Sequence, residues 1–292
     1  DIASAMLLIN SRSNFHAADA FAPSDQVRAF PVGLSAPTRL AAARPLAPPD
    51  AVRHLAGQRV LVLVHGYNHT VEDAIQLYQT VHQTVRRRFS EAYDAVVGYT
   101  WPAGASRLAY FAAKSRVDHA GCRLRRWLEG LWAAGCTVDI AGHSLGARIT
   151  TAAVRDTTAF RARHVFLLAA PAGPAALDDV HDAAEHVYVF HTRADAALGR
   201  WYWLFEWETP IGYAGLSPDA PRADRWPNVT AVDCTATVTG HYDYLQAPAF
   251  IAYLARVLNR DQHPHAADLA PDSPRARPAS SGASTTRATA PD

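Results

Sequence analysis

The feature that most constrains this chain is an alternation running through residues 60–260. Short Val/Leu/Ile-rich runs take turns with longer stretches whose apolar residues recur every three to four positions. A continuous apolar run suits a strand buried on both faces, and a helix with one apolar stripe is the element able to cover it. The pattern therefore predicts an α/β fold, with a mostly parallel central sheet and helices on both faces. The predicted strands are 5–10, 60–64, 95–100, 137–141, 165–169, 186–190 and 229–232. Behind Thr70, the residues Val71, Ile75, Tyr78, Val85 and Phe89 keep a helical period, and Asp73 is placed to complete a capping box. Leu124, Leu128 and Leu131 mark a second helix, residues 145–154 a third, and Phe250, Tyr253, Leu254 and Val257 a last one.

Composition sets the bounds. Of 292 residues, 49% are hydrophobic and 19% charged, enough apolar surface to bury a large core and to exclude wholesale disorder. A net charge of +1 is too small to hold a phosphate backbone, so nucleic acid is not an expected partner. Lys114 is the only lysine, an arginine bias that reads as codon usage rather than phosphate recognition. Cys122, Cys136 and Cys234 are odd in number and lack metal spacing, so they read as free thiols with no metal site. No apolar run approaches the roughly 18 residues of a membrane span. The first residues lack signal-peptide character, and the only methionine is Met6; a native start there places the protein in the cytoplasm, although a processed secreted chain would begin similarly. The expected organisation is an N-terminal strand and extended arm over 1–59, with room for one edge strand, and a core over 60–261 with an aromatic-rich insertion at 196–228. Residues 262–292, mostly Ala, Pro, Ser, Thr, Arg and Asp, read as a disordered tail.

The chemistry is carried by Gly142-His143-Ser144-Leu145-Gly146, which follows the strand CTVDIA and precedes the helical ARITTAAV. This is the strand-turn-helix context of a nucleophile elbow. A turn that sharp strains the serine backbone and leaves room only for small residues two positions either side. It exposes Ser144 at the C-terminal edge of the sheet and places the Leu145 amide at a helix N-terminus, where developing negative charge is favoured. Upstream, LVLVHGYNH ends a strand at His65-Gly66, and the second oxyanion donor is assigned to the amide of Tyr67. His65 reads as a structural histidine bonding that loop rather than as the base. A serine nucleophile needs a base, and the base needs a carboxylate to fix its tautomer, in the chain order Ser, Asp, His. Asp195 leaves the strand HVYVF on the same rim and is favoured over Asp178 and Asp179, which read as a helix N-terminus. His241, between the last strand and the last helix, is the histidine that combines chain order with a rim position.

The segments VHGYNHTVEDA, YTWP, GHSLGARI, the Asp195 loop and GHYDY together resemble the α/β-hydrolase superfamily. In particular they resemble its bacterial branch known as a domain of unknown function, with an H-G-Y-N oxyanion segment and a G-H-S-[ML]-G elbow. The resemblance spans about residues 6–260. It implies the α/β-hydrolase fold, with Ser144, Asp195 and His241 as a triad and Tyr67 and Leu145 as oxyanion donors. One departure is AAPAG at 169–173, where the resemblance leads one to expect an acidic residue after Pro171.

The expected function is a serine hydrolase, needing no cofactor, that cleaves a small-molecule ester or thioester of an apolar or aromatic acyl group through an acyl-enzyme. Peptide or amide hydrolysis and a non-catalytic binding module are the alternatives. Trp201, Trp203 and Phe205, in the insertion between the acid and base loops, are expected to wall the substrate pocket. Oligomeric state leaves no trace in the sequence.

Overall fold

The computed structural model describes residues 5–15, 20–31, 41–104, 110–155, 157–202, 208–216, 225–244 and 247–262. Its strands are β1 (Met6–Arg12), β2 (Phe21–Phe30), β3 (Arg44–Leu46), β4 (Arg59–Val64), β5 (Ala95–Thr100), β6 (Thr137–His143), β7 (Ala162–Leu168), β8 (Ala184–His191) and β9 (Val229–Asp233). The principal helices are α1 (Pro48–Leu55), α2 (Val71–Arg88), α3 (Val117–Ala133), α4 (Leu145–Val154) and α5 (Pro248–Gln262). The strands form a nine-stranded sheet in the order β3-β2-β1-β5-β4-β6-β7-β8-β9. Pairing is parallel from β1 through β9 and antiparallel at β1–β2 and β2–β3.

Side chains alternate across this sheet and so build two apolar layers. Val60, Val62 and Val64 of β4 and Val165 and Leu167 of β7 face α1, α3 and α4. Leu61, Leu63, Phe166 and Leu168 face the other way, towards α2 and α5. Helix α2 starts as its sequence dictates: Thr70 Oγ1 accepts from the Asp73 amide at 3.1 Å and the Asp73 carboxylate accepts from the Thr70 amide at 2.9 Å. Among the described residues, no helix is long and apolar enough to cross a membrane.

Each of the seven predicted strands is present, with ends that move by a few residues. The stretch read as an extended arm is more ordered than its sequence suggests, because it carries β2, β3 and α1. Strand β2 lacks a continuous apolar run since it lies near the antiparallel edge, where one face is wet. It is held instead by polar contacts to α3. Arg123 pairs with Asp25 at 2.5 Å and donates to the Ala22 carbonyl at 2.7 Å, and Trp127 Nε1 donates to Asp25 at 2.8 Å. The stretch expected to form a disordered tail lies, from residue 263 on, outside the described residues.

One ion in the sheet interior ties three elements together. Asp139, fully buried in β6, accepts from Arg163 at 2.7 and 3.0 Å, from the His164 amide at 3.0 Å and from the Tyr93 hydroxyl at 2.6 Å. Burial pushes its carboxyl pKa up, but the hydrogen bonds from His164 and Arg163 outweigh burial and hold it below the ordinary value. A carboxyl depressed on folding adds stability above its unfolded pKa and loses it as pH falls through the folded one. Asp139→Ala, which removes the buried carboxylate that Arg163 and His164 are bonded to, is expected to cost about 3–5 kcal/mol at neutral pH. The difference from wild type in urea midpoint should narrow as pH drops from about 5 towards 3. An unchanged midpoint at neutral pH would contradict this account.

Candidate active site

The C-terminal ends of the parallel strands form one rim, and Tyr67, Ser144, Leu145, Asp195 and His241 follow the ends of β4, β6, β8 and β9 on it. In register, Val64 lies opposite Gly142 and His191 opposite Asp233, so the loops leaving β4, β6, β8 and β9 emerge together.

Ser144 is the N-cap of α4 with φ 53° and ψ −129°, a left-handed conformation that side chains rarely adopt. Its amide donates to the Leu168 carbonyl at 2.9 Å, which fixes the turn against β7. Close approach explains the flanking glycines. A β-carbon on Gly146 would fall 2.2 Å from the Val64 carbonyl oxygen, and one on Gly142 would fall 2.6 Å from the Gly146 carbonyl oxygen. Leu145 opens α4, so its amide belongs to the first helical turn, whose N–H groups have no partner within the helix.

The β4 loop is pressed against the elbow. A β-carbon on Gly66 would lie 2.8 Å from Ser144 Cβ, and Tyr67 follows directly, half-buried. Asn68, at φ 58°, turns the chain away and bonds the Ala103 carbonyl. Beneath this loop His65 is wholly buried. Its Nδ1 donates to the Gly66 carbonyl at 2.8 Å, which leaves Nε2 to accept from Arg12 at 3.3 Å and Thr100 Oγ1 at 3.0 Å. Burial first, and the Arg12 charge second, hold its pKa well below the usual value. His65 is thus a neutral brace for the loop, as expected. Arg12 completes the brace by donating to the His69 carbonyl at 2.7 Å, a role that β1 gave no sequence signal for.

Asp195 is fully buried beyond β8. One carboxylate oxygen accepts from the Leu198 amide at 3.0 Å, and the other accepts from His241 Nδ1 at 2.6 Å. A donating Nδ1 leaves the Nε2 lone pair as the ring's free base. Among the described residues no hydrogen bond joins Ser144 Oγ to that ring, a contact that often tightens only when substrate is bound. The two loops are coupled through the neighbouring histidine. His143 Nε2 donates to the His241 carbonyl at 2.7 Å, and the two rings are 4.9 Å apart. Burial, then the nearby His241, push the His143 pKa down to about 3, so it stays a neutral donor. Sequence reading passed over His143, whose local signal is its place one residue before Ser144 at the end of β6.

Asp178, the competing acid, is instead paired with Arg225 at 2.5 Å and with Trp226 Nε1 at 2.8 Å, away from His241. Where an acid was expected after Pro171, Glu208 from the insertion lies over Gly173. Of the expected pocket aromatics, Trp203 and Phe205 lie outside the described residues, as does the side chain of Trp201, whose backbone belongs to a π-helical turn at Ala197–Tyr202. Two described aromatics of the same insertion, Tyr202 and Trp226, are buried in the core. Among the described residues no group of three His, Cys, Asp or Glu side chains could hold a metal ion.

The elbow requires a glycine at position 146. Gly146→Ala is expected to lower Tm by several degrees, since the β-carbon meets backbone on β4 that cannot yield cheaply. A wild-type melting curve for that variant would mean that the elbow relaxes freely.

Comparison with known proteins identifies the family of the chain. The chain matches, over residues 49–201, the family described as alpha/beta hydrolase of unknown function (DUF900). No curated protein matches its sequence. Similar solved structures include an esterase of Pyrococcus furiosus, at 10% identity over 69% of this chain and 82% of that one, with a TM-score of 0.43. A structure described as that of a predicted CIB-like hydrolase of Thermoplasma acidophilum is 16% identical over 75% and 91% of the two chains, with a TM-score of 0.42. Esterase 2 of Thermogutta terrifontis is 11% identical over 93% and 98%, with a TM-score of 0.44. Likeness this distant adds nothing to the sheet order and rim already described. The family match covers just over half of the 292 residues, and by it the chain belongs to the alpha/beta hydrolases of unknown function.

Proposed function

We propose that the protein is a serine hydrolase that cleaves an ester or thioester of an apolar or aromatic acyl group through an acyl-enzyme. The observation that carries this reading is the 2.6 Å bond from His241 Nδ1 to the buried Asp195, on the same rim as the strained Ser144. A buried carboxylate bonded to Nδ1 fixes the tautomer in which Nε2 accepts a proton. In the proposed reaction His241 takes the Ser144 proton as Oγ attacks the acyl carbon. The charge on the resulting oxyanion is met by the amides of Leu145 and Tyr67, the first at the positive end of α4. His241 then gives its proton to the leaving alcohol or thiol. Water enters, loses a proton to the same ring and attacks the acyl carbon, and Ser144 leaves with that proton restored.

Turnover of p-nitrophenyl esters by purified variants tests this. Ser144→Ala is expected to lower kcat by on the order of a millionfold. Asp195→Asn is expected to cost up to about ten-thousandfold, because an amide in that place favours the wrong tautomer. Substantial activity in a folded Ser144→Ala protein would remove Ser144 as nucleophile, and a negligible loss in Asp195→Asn would remove Asp195 as the group that orients the base.

A further inference from the structure

Between α2, α5 and the sheet lies a cavity of about 320 Å³, at the lower end of the size range of ligand pockets. Its floor is Leu61, Leu63, Ala141, Phe166 and Leu168, and its walls are the facing sides of the two helices. The cavity explains an anomaly in burial: Ala141, in the middle of the central strand β6, is only half-buried, as are Leu77 on α2 and Ile251 and Leu254 on α5. Apolar surface is thus left open inside the fold, at a cost that close packing would have avoided.

The lining is chemically one-sided. The tyrosine rings along it have their hydroxyls engaged elsewhere: Tyr78 with the Tyr99 carbonyl at 2.6 Å, Tyr93 with Asp139 at 2.6 Å and Tyr244 with the Phe190 carbonyl at 3.3 Å. Thr84 is likewise bonded back to the Thr80 carbonyl at 2.9 Å. These side chains therefore offer a guest carbon and no polar partner. The lining includes polar rings at one end, His69, His143 and Tyr242, packed with centroids 6.1 Å (His69–Tyr242) and 5.4 Å (His143–Tyr242) apart. Each is a near neighbour in sequence of a site element: His143 precedes Ser144, Tyr242 follows His241, and His69 lies two residues after Tyr67. Tyr242 is 58% exposed, so this end meets solvent at the rim.

We infer that this slot is the acyl-binding site and that it takes a linear aliphatic chain of medium length, entering beside Ser144 and running down between α2 and α5. The inference rests on the proposed acyl-enzyme reading. It moves the acyl group from the aromatic insertion to the interior. The lining spans residues 77–85 of α2 and 250–258 of α5, about 12 Å at 1.5 Å per residue. An extended chain advances about 3.6 Å per three bonds, so that depth takes at most about ten bonds, which an octanoyl to decanoyl group, roughly seven to nine carbon–carbon bonds long, fills without overrunning.

The test is a chain-length series of p-nitrophenyl esters from acetate to dodecanoate, together with calorimetric titration of decanoate. Wild-type kcat/KM is expected to peak at octanoate to decanoate, and decanoate is expected to bind one to one. Ala141→Trp fills the slot from its floor and Leu254→Trp from its wall. Each is expected to lower the decanoate-to-butyrate ratio of kcat/KM by at least about tenfold and to weaken decanoate binding. A wild-type optimum at acetate, or an unchanged ratio and unchanged binding in both folded variants, would overturn the inference. Decanoate binding that the variants abolish, in a protein that turns over no ester of any length, would support the slot and overturn the hydrolase reading.

Discussion

Ser144 occupies a backbone conformation that costs about 1–3 kcal/mol, and such strain persists only where the surroundings over-determine it. Here they do. The Ser144 amide is bonded to the Leu168 carbonyl, Gly146 is packed onto the carbonyls of Val64 and His65, and Gly66 lies against the Ser144 side chain. Two strands flanking β6 therefore hold the turn from opposite sides. The same contacts bring the β4 loop to the elbow and put the first turn of α4 beneath any charge developing there. The rim is a consequence of how tightly three strand ends cross at one point.

Among the described residues, the rim sets two histidines held neutral, His65 and His143, around the buried carboxylate of Asp195. His65 and His143 are both held uncharged by burial, so each works as a fixed hydrogen-bonding group in bracing a loop. His65 ties the β4 loop to β1 and β5 through Arg12 and Thr100, and His143 ties the elbow to the loop that bears His241. Asp195 and His241 are joined to each other, and Asp195 is fixed further by the Leu198 amide. A ring so placed is oriented before any substrate arrives, which is the condition for electrostatic preorganisation.

Much of this was legible because local rules and global demands coincide. The elbow glycines, the Thr70–Asp73 capping box and the apolar runs of β4 to β8 each answer to a single local cause, and chain order placed Asp195 and His241 on the rim. What escaped reading depends on contacts distant in sequence. Strand β2 is half polar because it sits near a wet edge, and its order draws on Arg123 and Trp127 just over a hundred residues on. Arg12 reaches the β4 loop across more than fifty residues. The slot is lined jointly by α2, α5 and the sheet, a three-way packing that no periodicity encodes. Of the insertion's aromatics, Tyr202 and Trp226 complete the core, while the side chains of Trp201, Trp203 and Phe205 lie outside the described residues.

The central claim is that one serine, Ser144, is activated by a preorganised His241–Asp195 pair. Reaction of the intact protein with a fluorophosphonate, followed by peptide mass mapping, tests it most directly, since the reagent reports nucleophilicity whatever the natural substrate. The account expects a single adduct, on Ser144, formed far more slowly when His241 is replaced by alanine. An adduct on another residue, no adduct on folded protein, or labelling at an undiminished rate in the His241→Ala variant would contradict it.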